Sequence, residues 1–176
     1  DVNSLLSAVP NLDKLAVITG EQVANIGSQD MNDEVWLKLA KRVNAALAEP
    51  GTDGVLITHG TDTLEETSYF LTLVTSSTKP VVMVGSMRPA TATSADGPGN
   101  IYNGVAVVTN PGAKGKGTLV VLNDEIHYAR NVVKTNTTSV QTFVSVNRGP
   151  AGVVNTGKIQ WFEPMDRKVG PATGFS

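Results

Sequence analysis

Thr61 and Asp62 sit side by side, and Lys134 follows 72 positions later. A hydroxyl, a carboxylate and an amine are the minimum set for moving a proton to or from an alcohol near neutral pH. Spacing alone cannot show contact. If the three meet, Asp62 holds the ammonium, and its removal from water favours the neutral amine, which can exchange a proton with Thr61. The ordinary alternative is a solvated surface lysine. The stretch Thr58-His59-Gly60-Thr61-Asp62-Thr63 directly follows the apolar run Gly54 to Ile57. Hydroxyls and N–H groups at the start of a helix suit an anion or a developing oxyanion. Gly60 lets the backbone approach a ligand. A plain structural reading also stands, with Thr61 or Asp62 capping the helix that follows.

Ser28-Gln29 places a hydroxyl beside an amide, suited to a carboxylate and an ammonium respectively, or else to an ordinary polar turn. Gly85-Ser86-Met87-Arg88-Pro89 follows another apolar run. Ser86 faces a substrate there or caps a helix. Arg88 binds a carboxylate or ties its own loop, with Asp96 as natural partner. His59 reads as a structural histidine rather than a general base, and His127 is given no role.

These loops need a scaffold that gathers them at one end. Val2 to Val9 reads as a helix closed by Pro10, and Leu15 to Ile26 as extended. Asn32-Asp33-Glu34 opens a helix carrying Val35, Trp36, Leu39, Val43, Ala46 and Leu47, which Pro50-Gly51 stops. Gly54 to Ile57 is a strand buried on both faces, Thr63 to Thr75 a helix, and Val81 to Val84 a strand. Gly85 to Asn100 is a loop, Ile101 to Val108 a helix and Thr118 to Leu122 another buried strand. Beyond Asp124 only Phe143 and Ile159 to Phe162 are marked as strands, and Pro164 to Ser176 reads as linker or tail. Alternating strands and helices with short connections predict an α/β domain, a parallel sheet flanked by helices. Residues 1–162 form that domain and 163–176 lie beyond it. Ligands of such sheets bind outside the carboxyl ends of the strands, where the polar loops fall.

Composition agrees with a single cored domain. Of 176 residues, 40% are hydrophobic and 17% charged, against disorder. A net charge of -2, with four Phe, two Trp and three Tyr, gives no basic surface or stacking platform for nucleic acid. The absence of cysteine excludes a disulfide framework, a thiolate nucleophile and a cysteine-bound zinc. No apolar run approaches the ~18 residues of a membrane span. Asn136-Thr137-Thr138 matches the N-glycosylation triplet.

Gly54-Val-Leu-Ile-Thr-His-Gly-Thr-Asp-Thr-Leu64 closely resembles the second signature of bacterial-type L-asparaginases and glutaminase-asparaginases. Gly27-Ser-Gln-Asp-Met-Asn-Asp33, Val84-Gly-Ser-Met-Arg-Pro89, Ser94-Ala-Asp-Gly-Pro98 with Asn100, and Lys134-Thr-Asn-Thr137 resemble further blocks of the type II branch, in the same order. The likeness runs to about Phe162. It implies an amidohydrolase that converts L-asparagine to L-aspartate and ammonia through a threonine nucleophile, without metal or cofactor. Thr61, Asp62 and Lys134 would form the family's triad. Ser28 would bind the substrate α-carboxylate, and Gln29 with Asp62 the α-ammonium. Gly60 and Ser86 would line the pocket near the scissile amide. Ser86, where many asparaginases have Ala, implies side activity on L-glutamine. Periplasmic or secreted placement and a homotetramer built as a dimer of dimers are implied by the same likeness.

One departure qualifies the match. The family's Thr-Gly-Gly-Thr-Ile-Ala motif, which supplies the attacking threonine, has no counterpart in this sequence, nor has the smaller C-terminal domain. The 176 residues are therefore expected to be inactive by themselves. The alternatives are a truncated asparaginase-like chain that binds an amino acid or a partner without turnover, and the asparaginase-like subunit of a tRNA-dependent amidotransferase.

Overall fold

A computed structural model describes residues 2–162 and 168–175. Four α-helices and eight strands follow one another: α1 (Val2–Ser7), α2 (Asp33–Ala48), β1 (Val55–Thr58), α3 (Leu64–Val74), β2 (Val81–Val84), α4 (Gly97–Thr109), β3 (Thr118–Leu122), β4 (Glu125–Tyr128), β5 (Val132–Lys134), β6 (Phe143–Ser145), β7 (Gly152–Asn155) and β8 (Lys158–Trp161). The main sheet has the order β1-β2-β3-β4-β7-β8, and β5-β6 form a separate hairpin. β1, β2 and β3 run parallel, whereas β4, β7 and β8 join antiparallel, so that β7 again points the way of β3. The α/β class holds with four of six strands in one direction, in a sheet that is mixed rather than wholly parallel. β1 has one partner, β2, and forms an edge among the described residues.

The sheet divides two cores by strand alternation. Val82, Val84, Leu119 and Val121 face Ile101 and Val105 of α4. Val81, Met83, Val120 and Leu122 face Leu39, Val43 and Leu47 of α2 and Leu64 and Leu71 of α3. α2 starts where expected: Asn32 Oδ1 accepts the Val35 N–H at 3.1 Å, and Asp33 and Glu34 occupy the first turn. The buried residues of α3 lie at helical spacing, Leu64, Thr67, Ser68, Leu71 and Thr72.

Several expectations change. Leu15 to Ile26 forms no strand. Its later part is tied to α2 by Arg42 on the Glu21 carboxylate (2.8 and 2.7 Å) and by Lys38 Nζ on the Val23 carbonyl (2.8 Å), while Leu15 and Ala16 pack on the α4 side of the sheet. β1 is half-buried, because an edge strand is covered on fewer sides than β2 and β3. α4 begins at Gly97, with Pro98 in its first turn, where proline's fixed φ suits a helix start. The residue pattern marks no strand at β4, β5 or β7. Two of their turns carry a clear signature, positive φ at both Asn123 and Asp124 (51° and 62°) and at Thr156 and Gly157 (46° and 79°). Pro164 falls outside the described residues, but 168–175 dock on α3, where the Thr173 hydroxyl donates to the Leu73 carbonyl at 2.8 Å.

Candidate active site

The parallel half of the sheet delivers its loops to one end. The loop after β1 supplies His59 to Thr63, the loop after β2 supplies Gly85 to Pro89, and Lys134 ends β5. Two glycines permit the close approach of these pieces. A Cβ on Gly60 would meet the Ser28 Oγ at 2.6 Å, and one on Gly85 would meet the His59 carbonyl oxygen at 2.8 Å.

The structure brings Thr61, Asp62 and Lys134 together. Lys134 Nζ donates to Thr61 Oγ1 at 2.9 Å and to Asp62 Oδ1 at 2.8 Å. The ion pair is lopsided in exposure, 16% for the lysine side chain and 60% for the aspartate. Lys134 therefore reaches the loop from the protein side while Asp62 faces solvent. The Thr61 oxygen accepts from the lysine, so its own hydrogen remains available.

Ser28 is buried and locked to the same loop. Its Oγ accepts the Asp62 N–H at 3.1 Å, and its carbonyl accepts the Thr63 hydroxyl at 2.8 Å. This overturns the capping expectation: neither Thr61 nor Asp62 caps α3. Thr63 is the N-cap, makes no side-chain cap, and turns its hydroxyl to Ser28. Gln29 is exposed and its amide donates to Asp30 Oδ2 at 3.4 Å rather than to Asp62. Ser86 is exposed beside the start of α4, where a Cβ on Gly97 would lie 3.4 Å from its Cβ.

Surrounding residues hold the loops. His59 is structural, as expected: Nδ1 lies 2.6 Å from the Gly60 carbonyl oxygen and Nε2 3.0 Å from Thr67 Oγ1. Burial lowers its pKa despite the Gly60 contact. Arg88 does tie its own loop, but through Ser94, whose carbonyl and hydroxyl each accept from Nη1 at 2.8 Å. Asp96 instead accepts the main-chain N–H groups of Met87 (2.9 Å) and Arg88 (3.0 Å). Two further residues contribute: Asn100, which the sequence marks only within a resembling block, and Glu65, which it does not mark. Asn100, buried in α4, donates to the Gly85 carbonyl at 2.9 Å and accepts the Asn123 N–H at 3.1 Å, joining the ends of β2 and β3. Glu65 accepts the main-chain N–H of Lys134. Its only local signal was an acidic residue in a helix's first turn, which helix electrostatics alone would explain. A broad hollow of about 1000 Å³, lined by Tyr69, Leu73, Arg130 and Phe175 among others, contains none of the expected site residues.

The fold is an α/β sheet with a buried serine and a lysine–threonine–aspartate cluster gathered beside the loop that follows β1. Residues 1–167 match the family described as Asparaginase, N-terminal, and the chain belongs to that family. It is 53% identical over 174 residues to L-asparaginase 2 of Escherichia coli, covering 99% of this chain and 49% of the relative. It is 48% identical over 161 residues to a glutaminase-asparaginase of Pseudomonas fluorescens, covering 92% and 44%. The crystal structure of a "Probable Cytoplasmic L-asparaginase" from Campylobacter jejuni superposes with a TM-score of 0.95 at 50% identity, over 98% of this chain and 55% of that one. The chain spans about half the length of the curated relatives it matches.

Proposed function

We propose that the protein hydrolyses the side-chain amide of L-asparagine to L-aspartate and ammonia, with L-glutamine as a side substrate. The observation that carries this reading is Lys134 Nζ within 2.9 Å of Thr61 Oγ1 and 2.8 Å of Asp62 Oδ1. Identity to asparaginases and a glutaminase-asparaginase supports it. A threonine hydroxyl attacks the amide carbon, ammonia leaves with the proton it gains, and water then cleaves the acyl ester. Thr61 and Lys134 move the protons. Attack falls to another threonine, the role the resemblance gives to the Thr-Gly-Gly-Thr-Ile-Ala motif. Asp62 holds the Lys134 ammonium by charge. Ser28 has a hydroxyl hydrogen free for the α-carboxylate, because its oxygen already accepts from Asp62. Gln29 and Asp62 take the α-ammonium, and Gly60 and Ser86 flank the amide. This chemistry uses no metal and no cofactor.

The test is ammonia release by the full-length protein and by its Lys134→Met variant. The expected loss in kcat is about 10²–10⁴-fold, the range for a positioned proton-transfer group. Wild-type turnover by the variant would sink the assignment. Asparagine binding without ammonia release by the unmutated protein would favour the binding-only alternative. A homotetramer and a periplasmic or secreted location, proposed from the type II likeness, are checked by light scattering and cell fractionation. The Campylobacter jejuni structure is named a probable cytoplasmic asparaginase, whereas the Haemophilus influenzae relative is named a probable periplasmic one.

A further inference from the structure

Lys134 is held at two points, and the second lies on its main chain. In the β5–β6 hairpin Lys134 pairs with Phe143, and the next residue, Thr135, donates its N–H to the Thr142 carbonyl at 2.7 Å. Antiparallel pairing alternates donors toward and away from the partner strand. The Lys134 N–H accordingly points out of the hairpin, toward α3, and the Glu65 carboxylate accepts it there. Glu65 lies in the first turn of α3, where a negative charge is favoured. That same helix start carries Thr61 and Asp62, which receive the Lys134 ammonium. The first turn of α3 and the loop leading into it thus grip both ends of the lysine, main chain and Nζ. A lysine side chain is long and flexible, so the position of its Cα sets where its amine can reach.

We propose that Glu65 is a positioning residue, whose carboxylate fixes the main chain at Lys134 and so sets the reach of the ammonium to Thr61. This inference rests on the amidohydrolase reading above and adds the residue that aligns its proton-transfer group. The experiment compares the full-length protein with Glu65→Met, which keeps length and helix propensity but has no acceptor, and Glu65→Gln, whose amide oxygen accepts the same N–H. The expected result is a fall in kcat of about 10- to 100-fold for E65M, the scale for a small misplacement of a reacting group, with KM within about 3-fold. E65Q recovers most of the lost kcat. Wild-type kcat in E65M overturns the inference. Equal losses in E65M and E65Q also overturn it, since charge at the helix start would then be the cause. Should E65M not fold, E65A takes its place. A second readout needs no turnover: acetic anhydride labelling of Lys134, mapped by mass spectrometry, is faster in E65M than in the unmutated protein and near normal in E65Q. Identical rates in all three overturn the proposal. Failure of the underlying reading looks different, because the unmutated protein would then release no ammonia, or Lys134→Met would leave its release unchanged.

Discussion

Asp62 serves two partners from one position. Its carboxylate meets the Lys134 ammonium, and its main-chain N–H meets the Ser28 hydroxyl. Under the proposed function a third partner, the substrate ammonium, arrives at its solvent-facing side. Replacing Asp62 with Ala keeps the N–H bond and removes both charge contacts. A desolvated ammonium left unpaired costs on the order of 2–5 kcal/mol. Asp62→Ala in the full-length protein should therefore lower kcat/KM for asparagine by that amount, and steady-state ammonia release measures it. An unchanged kcat/KM would refute the role.

The loop between β1 and α3 owes its shape to a relay across elements. The Trp36 indole can only donate, and it donates to Thr67 Oγ1 at 2.8 Å. The Thr67 hydrogen is then directed to His59 Nε2, 3.0 Å away, which leaves the ring hydrogen on Nδ1 to donate to the Gly60 carbonyl. α2, α3 and the loop are thus tied through one buried hydroxyl. Thr67→Val keeps the shape but strands an indole N–H and a ring nitrogen, a cost of about 1–3 kcal/mol. Urea unfolding should show that loss, and nitrogen NMR of the unmutated protein should find His59 as the Nδ1–H tautomer. A midpoint unmoved by the substitution would argue against the relay.

Across the whole molecule, acid stability is expected to depend on His127. It is completely buried in β4; its Nδ1 lies 2.9 Å from Ser145 Oγ, linking the main sheet to the hairpin that carries Lys134. Nε2 lies 3.2 Å from Glu125 Oε2 yet outside hydrogen-bond geometry, so this side of the ring gains little. Burial lowers the His127 pKa from 6.5 to about 4. The fold thus favours the neutral ring: its stability is complete above pH 6.5 and declines as pH falls toward 4. The scale is on the order of 3 kcal/mol at about 1.4 kcal/mol per pH unit. His59, lowered by burial too, adds a slope of the same sign, while Glu125, raised by burial, works the other way. Denaturant titrations between pH 7 and 4 should show the decline, and His127→Gln should flatten it. At the same scale, the 176 residues alone should release ammonia from asparagine only at background. The proposed attacking threonine is not among their motifs, and among the described residues β1 forms a sheet edge of half-buried Val55, Leu56 and Ile57. Robust release by a sample whose mass matches these residues would place the nucleophile within them, with Thr61 the first candidate.

Reading Asn32-Asp33-Glu34, the Leu39–Val43–Leu47 spacing and the apolar runs Val81 to Val84 and Thr118 to Leu122 was enough to find α2, β2 and β3. Capping, helical period and continuous apolar burial all act within a few residues, so they are written locally. The ordered blocks around Ser28, Thr61, Ser86 and Lys134 fixed the family for the same reason: each is a short run whose chemistry belongs to one loop. Three-residue strands such as β5 and β6 show no period, and they escaped except where Phe143 marked one. Tertiary structure decided what meets what. It closed the 72 residues between Asp62 and Lys134, turned Thr63 away from capping toward Ser28, gave Asp96 to main-chain amides, and set Glu65 on the Lys134 N–H. None of these can be read from neighbours in sequence, because a side chain's partner is settled only when packing of the two cores fixes which loops share the carboxyl end of the sheet.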